Sequence, residues 1–114
     1  MAEEGASPPS RDGSRIGVTV VVVNWNAGDA LAGCLASLAA ERALDVVVVD
    51  NASTDGSTAR AVEGRPDVRT VVLPTNLGFA GGANAGAGVA QGDVLVFLNP
   101  DARVEPGEIG RAHV

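Results

Sequence analysis

Two segments of this chain run from an apolar stretch straight into carboxylates and amides: Val46-Val47-Val48-Val49-Asp50-Asn51-Ala52-Ser53-Thr54-Asp55-Gly56-Ser57 and Asp93-Val94-Leu95-Val96-Phe97-Leu98-Asn99-Pro100-Asp101. Both read as strands that exit into short polar loops, and the carboxyl ends of strands in an α/β sheet are where ligands bind. At such an exit the Asp50 carboxylate can accept hydrogen bonds from a nucleobase imide N–H or a ribose hydroxyl. Pro100 ends ladder pairing and stiffens the backbone that displays Asp101. A carboxylate there suits a hard divalent ion, because Mg²⁺ is usually held by one or two carboxylates together with substrate phosphates and waters.

Other polar residues admit two readings. Asp55, Gly56 and Ser57 fit turn and helix-capping chemistry as well as ligand binding. The stretch from Asn76 to Gly88 is rich in glycine, which serves either tight helix-sheet packing or close approach of backbone to a ligand. Asn84 within it could turn inward toward a ligand or sit in solvent. It holds no G-x-G-x-x-G and follows the third strand rather than the first, so it does not read as a dinucleotide fingerprint.

Missing chemistry narrows the field further. There is no lysine, so Walker-type phosphate binding and Schiff-base catalysis lack their key residue. Any phosphate must be met by backbone N–H groups, by arginine or by a metal. The single histidine, His113, is the next-to-last residue of the sequence, a poor basis for a Ser-His-Asp or Cys-His assembly. Cys34, the single cysteine, falls on the apolar face Leu31, Cys34, Leu35, Leu38 and reads as a buried structural thiol. A net charge of -6 argues against nucleic acid or an anionic membrane surface as a partner.

The elements that must position these residues follow from apolar patterning. With 114 residues and 46% apolar content, the chain is sized for one packed domain. Residues 1–15 are polar and aperiodic and read as a flexible leader, so the α/β domain is placed at 16–114. Strands are predicted at Val18–Val23, Val46–Val49, Val68–Leu73 and Val94–Leu98, and helices at about Asp29–Arg42, Ser57–Glu63 and Ala80–Ala90, with Asp29 capping the first. The continuous valine runs mark strands buried on both faces. The fold class is therefore α/β: a mostly parallel sheet of about four strands with helices on both faces. The tail from Val104 onward offers a turn at Pro106-Gly107 and no obvious closing element. No apolar run reaches the roughly 18 residues of a membrane span, and no signal peptide is evident, so the expected setting is the cytoplasm, with the inner face of the membrane as an extension of it.

Four motifs in order, Val20-Val21-Val22-Val23-Asn24-Trp25-Asn26, Val49-Asp50-Asn51-Ala52-Ser53-Thr54-Asp55-Gly56-Ser57, Asn76-Leu77-Gly78-Phe79-Ala80-Gly81-Gly82-Ala83-Asn84-Ala85-Gly86 and Leu98-Asn99-Pro100-Asp101-Ala102, resemble a family 2 glycosyltransferase of the GT-A fold. The N-W-N and L-N-P-D forms look most like the rhamnosyltransferase branch that builds cell-wall or surface polysaccharide. The likeness covers roughly residues 18–104, which would be the Rossmann-like, N-terminal nucleotide-sugar-binding part of such an enzyme.

The resemblance implies a nucleoside-diphosphate-sugar site at the strand exits. Val23 and Asn24 would line the base pocket by their backbone, and Asp50, with Asn51 in the same motif, would contact the base side. The glycine-rich segment, including Gly78 and Asn84, would pass beside the ribose or sugar. Asn99 and Asp101 would occupy the D-x-D positions, with Asp101 binding the divalent cation, Mg²⁺ or Mn²⁺, that bridges the phosphates. That ion would stand in for the missing lysine by offsetting charge on the departing diphosphate.

The resemblance also implies inverting transfer of a sugar to an acceptor hydroxyl, with thymidine diphosphate-rhamnose the favoured donor and uridine diphosphate sugars next. The acceptor would be a saccharide or a lipid-linked one. Asn99 replaces the first acidic residue of D-x-D, and Ala83 stands where many family members carry Arg. The carboxylate general base of an inverting transfer matches no residue here and is expected beyond Val114, so no catalytic residue is assigned. Two rival readings are a nucleotide-binding fragment without turnover and a partial domain that pairs with itself through an exposed sheet edge.

Overall fold

The computed structural model describes residues 17–41 and 44–109. The elements run β1 (Val18–Asn24), α1 (Ala30–Leu38), β2 (Leu44–Asp50), α2 (Ser57–Val62), β3 (Val68–Val72), α3 (Gly78–Gly88) and β4 (Val94–Leu98). The four strands form one sheet in the order β3-β2-β1-β4, and every pairing is parallel. This is the α/β sheet expected from the alternation of apolar runs and helix-length segments.

Position in the sheet explains the sequence patterns. β1 lies between β2 and β4 and is buried along its whole length, which is why Val20 to Val23 run as continuous valine rather than as an alternation. Edge strand β4 alternates: Val94, Val96 and Leu98 pack inward, while Leu95 and Phe97 stand exposed. On one face Val20, Val22, Val46 and Val48 meet Leu31, Cys34, Leu35 and Leu38 of α1, with Ala61 of α2. On the other face Val21, Val23, Val47 and Val49 meet α3.

The two faces are packed differently. Burying a Leu or Val side chain is worth roughly 1.5–3 kcal/mol, and the large buried side chains lie on the α1 face. Helix α3 brings small residues and gains by closeness. A Cβ on Gly82 would come within 2.7 Å of Val23 Cγ1, and one on Gly86 would collide with Val21 and sit 3.1 Å from Val49 Cγ2. Of the two readings of the glycine-rich stretch, tight helix-sheet packing accounts for Gly82 and Gly86.

Several sequence expectations are corrected. Helix α1 ends at Leu38, not near Arg42, and Asp29 does not cap it: its backbone is already helical and its side chain makes no cap bond. The exposed Asp29 carboxylate lies instead 3.9 Å from Arg60. Helix α3 spans Gly78–Gly88 rather than 80–90, because Asn76 Oδ1 accepts the Gly78 N–H at 2.8 Å and opens the helix early. The tail does close part of the core, since Val104 before the turn at Pro106-Gly107 and Ile109 after it are buried against the α1 layer. The leader and His113 lie outside the described residues.

Candidate functional site

The residues proposed for the donor site, Val23, Asn24, Asp50, Asn51, Gly78, Asn84, Asn99 and Asp101, fall at the carboxyl end of the sheet or on α3. In register Asn24 lies opposite Asp50, and Val22 opposite Leu98 puts the Asn99–Asp101 turn just past the same level on the other side of β1. Strands sit about 4.8 Å apart, so the Asp50 and Asn99–Asp101 backbones stand about 10 Å apart across β1. The result is a shelf with a carboxylate at each end.

The loops at the Asp50 end interlock. Asn24 is fully buried, and its Nδ2 donates to Ser57 Oγ at 2.9 Å and Thr58 Oγ1 at 2.8 Å, while its Oδ1 accepts the Ala27 N–H at 3.2 Å. Asn26 Oδ1 accepts the Thr54 and Asp55 N–H groups at 2.8 and 3.2 Å. Ser53 Oγ accepts the Asn26 N–H at 2.9 Å. Asp55 accepts the Ser57 N–H at 2.9 Å and the Gly28 N–H at 3.0 Å. Bonds from the Ser57 hydroxyl and N–H, with further help from Gly28 and Arg60, hold the Asp55 carboxyl below the usual range. Turn and capping chemistry therefore accounts for Asp55. Asn26 and Ala52 take left-handed φ of 52° and 67°, a conformation that costs a non-glycine residue about 1–2 kcal/mol and is kept here by the interlocking bonds.

Among the proposed contacts, Asp50 keeps acceptor capacity. It is half-buried, Oδ1 accepts the Ser53 N–H at 2.9 Å, and Oδ2 has no partner among the described residues. Asn51 is committed elsewhere: Oδ1 accepts the Leu77 N–H at 2.8 Å and Nδ2 donates to the Gly78 carbonyl at 2.9 Å. Its side chain positions the start of α3, and Gly78 with it. Val23 packs into the α3 face and the Asn24 carbonyl accepts the Asn51 N–H at 2.8 Å. Asn84 is exposed on α3, on the solvated side of its two readings.

At the other end Asn99 and Asp101 are exposed, and the Asp101 carboxylate has no hydrogen bond or ion pair among the described residues. No cluster of three His, Cys, Asp or Glu side chains occurs among the described residues. A lone free carboxylate fits an ion that arrives with substrate phosphates and keeps most of its ligands from them and from water. Behind the turn, the buried Cys34 Sγ donates to the Asn99 carbonyl at 3.7 Å. Burial pushes the Cys34 thiol up, against a smaller opposing pull from Arg103, so the cysteine stays protonated and structural.

Two clefts of about 290 and 380 Å³ lie at the opposite, amino end of the sheet, one lined by Asp45, Arg69, Gln91 and Gly92 and the other by Glu41, Arg65 and Asp67. The first surrounds a filled polar network. Asp45 accepts from Thr19 Oγ1 at 2.7 Å, Arg69 at 2.8 and 3.0 Å, and the Gln91 N–H at 2.9 Å. Its polar groups are spent on each other. Sequence reasoning missed this network and the Arg103 bridge to Ala30, and gave no role of their own to Asn26 and Ser53 within their motifs; the partners that matter, Asp45 with Arg69 and Gln91, Asn26 with Ser53 and Thr54, and Arg103 with Ala30, lie 24 to 73 residues apart, so spacing gave no signal.

The chain belongs to glycosyl transferase family 2, whose model matches residues 19–112. It is 37% identical over 103 residues to the N-acetylglucosaminyl-diphospho-decaprenol L-rhamnosyltransferase of Mycobacterium tuberculosis, covering 79% of this chain and 34% of that protein. It is 36% identical over 97 residues to the succinoglycan biosynthesis protein ExoO of Rhizobium meliloti, covering 82% and 28%. The mannosyltransferase PcManGT of Pyrobaculum calidifontis, solved with GDP-Man and Mn²⁺, superposes with a TM-score of 0.72 at 32% identity, covering 78% of this chain and 28% of that one. The chain thus spans about a third of the length of the relatives it matches. Its four-stranded sheet is the α/β arrangement of GT-A glycosyltransferases. No helix among the described residues is long and apolar enough to cross a membrane.

Proposed function

We propose that this chain binds a nucleoside-diphosphate sugar across the shelf between Asp50 and Asp101, as the donor half of an inverting glycosyltransferase in cell-wall or surface polysaccharide synthesis. The observation that carries the reading is the pair of strand-exit carboxylates on either side of β1, each with acceptor capacity that no described residue takes up. Asp50 binds the base side of the donor, and the half-buried and exposed backbone between Asn76 and Asn84 borders the sugar. Asn99 and Asp101 face the diphosphate. Asp101 would hold Mg²⁺ or Mn²⁺, which when bound offsets the negative charge that grows on the departing nucleoside diphosphate.

The reaction is a single displacement in which an acceptor hydroxyl forms the new bond to the anomeric carbon as the bond to the diphosphate oxygen breaks. The hydroxyl proton would pass to a carboxylate general base, a role we assign to none of the described residues. A rhamnosyl donor and a lipid-linked acceptor are supported by the name of the rhamnosyltransferase relative, and a nucleoside diphosphate carrier by the GDP-Man held in the mannosyltransferase; thymidine diphosphate-rhamnose is the donor we favour, with uridine diphosphate sugars next.

A second reading, self-association, is favoured by one observation. Edge strand β4 leaves Leu95 and Phe97 39% and 42% exposed, with Phe79 packed edge-on to Phe97 at 6.5 Å. An open edge of this kind invites pairing with another chain. Molecular mass in solution separates a dimer from a monomer.

The donor reading is tested by thermal unfolding with thymidine and uridine diphosphates, each with and without Mn²⁺, for wild type and Asp101→Ala. A ligand at about 100 times its dissociation constant adds roughly 2.7 kcal/mol to the folded state. A metal-dependent rise in the midpoint that Asp101→Ala abolishes supports the reading; no shift with either nucleotide defeats it.

A further inference from the structure

The geometry points to Arg103 as a positioning residue that anchors the Asn99–Asp101 turn to α1, and so sets the metal-dependent affinity of Asp101 for a nucleoside diphosphate. The affinity clause rests on the donor-site reading above; the anchoring clause does not. Arg103 Nη1 donates to three backbone carbonyls, Asp101 and Ala102 at 3.1 Å each in its own turn and Ala30 at 3.3 Å in the first turn of α1. One guanidinium nitrogen therefore bridges the turn to the helix.

The side chain can lie against the helix because residue 33 is glycine. A Cβ there would meet the guanidinium head-on, 2.5 Å from Arg103 Cζ and 2.8 Å from Nε. Further along the same face of α1, Ser37 Oγ accepts the Val104 N–H at 3.0 Å and donates to the Cys34 carbonyl at 2.7 Å. The Cys34 thiol reaches the Asn99 carbonyl from behind. These contacts grip backbone on both sides of Asp101 and leave its carboxylate free. Among the described residues β4 pairs with β1 alone, so the turn's grip on α1 sets how much order must be imposed when a ligand binds.

Gly33→Ala makes the test sharp. Alanine favours a helix over glycine, so the variant should keep or raise the melting midpoint while pushing Arg103 off α1. Wild type, Gly33→Ala, Arg103→Ala and Arg103→Lys are compared in two measurements. The first is amide hydrogen exchange without nucleotide at Ala102, whose N–H bonds the Asn99 carbonyl, and at Val104, with Val47 and Val49 in β2 as internal controls. The second is calorimetric titration with Mn²⁺ and uridine or thymidine diphosphate.

Exchange at Ala102 and Val104 should rise about tenfold or more in Gly33→Ala and Arg103→Ala with the β2 amides unchanged, as for a local opening. Nucleotide affinity should fall about five- to tenfold in both, and Arg103→Lys should recover part of each effect. Unchanged exchange in both variants overturns the proposal. So does weakened binding in Arg103→Ala with wild-type binding in Gly33→Ala, since Arg103 would then be touching the ligand itself. If wild type binds neither nucleotide, the donor-site reading and the affinity clause fail together, and the exchange data still decide the anchoring.

Discussion

Asn24 Nδ2 donates to Thr58 Oγ1 at 2.8 Å, with both side chains buried, so the last residue of β1 is tied to the first turn of α2 by side chains alone. The same amide reaches Ser57 Oγ at 2.9 Å. Asn24→Ala would strand two buried hydroxyls and the Ala27 N–H. It should cost about 1–3 kcal/mol, the penalty of leaving a buried polar group without its partner. Urea unfolding should show a lowered midpoint at unchanged slope; a loss under about 0.5 kcal/mol would mean that the loops hold without it.

Asp50 has one oxygen bonded in the loop and one without a partner among the described residues. Asp50→Asn keeps an oxygen for the Ser53 N–H, so stability should stay within about 0.5 kcal/mol of wild type. Replacing a charged acceptor by a neutral one should still weaken nucleotide binding by about 1.5–3 kcal/mol, roughly ten- to a hundredfold. The loss should persist without metal, unlike that of Asp101→Ala, and titration with a nucleoside monophosphate measures it.

Two glycines about 3 Å apart along the axis of one helix, at a rise of about 1.5 Å per residue, should respond differently to alanine. Gly86→Ala drives a methyl into Val21 and Val49 and should destabilise by about 1–3 kcal/mol. Gly88 has nothing within 4 Å of a built Cβ, so Gly88→Ala should be neutral or stabilising by up to about 1 kcal/mol. Thermal melts of the two variants give the comparison, and equal shifts would refute the packing account of α3.

Burial works to raise the Asp45 carboxyl, but bonds from Arg69, the Gln91 N–H and Thr19 outweigh it and leave the group below its ordinary value. A carboxyl lowered in the folded state adds stability that is complete above the unfolded value of about 3.9 and is lost as pH falls through the folded value. Wild type should therefore lose stability below about pH 4, and Asp45→Asn should lose less over that range. Parallel acid limbs for the two proteins would show that Asp45 does not contribute.

What the sequence determined by itself was the run of elements and the identity of the strand exits. Unbroken valines in β1 and β2 can only suit strands covered on both faces, so the parallel α/β sheet was legible, as was the family likeness carried by the four motifs. Element ends were less legible. Asp29 looked like a cap, yet the chain was already helical there, while Asn76 opened α3 two residues early through a bond that depends on the loop's path.

Only the tertiary structure decided which polar groups remain free. Asn24, Asn51, Asp50 and Asp101 look equally available in sequence, but the first two spend their side chains on Thr58 and on the Leu77–Gly78 backbone, whereas among the described residues Asp50 keeps one oxygen and Asp101 its whole carboxylate. The reason is physical. Apolar periodicity is local and survives in the order of residues, whereas a hydrogen bond is satisfied by whichever partner folding brings within about 3 Å, often many residues away. For the same reason Arg103 carries no mark in the sequence, although its guanidinium fills the space left open by Gly33.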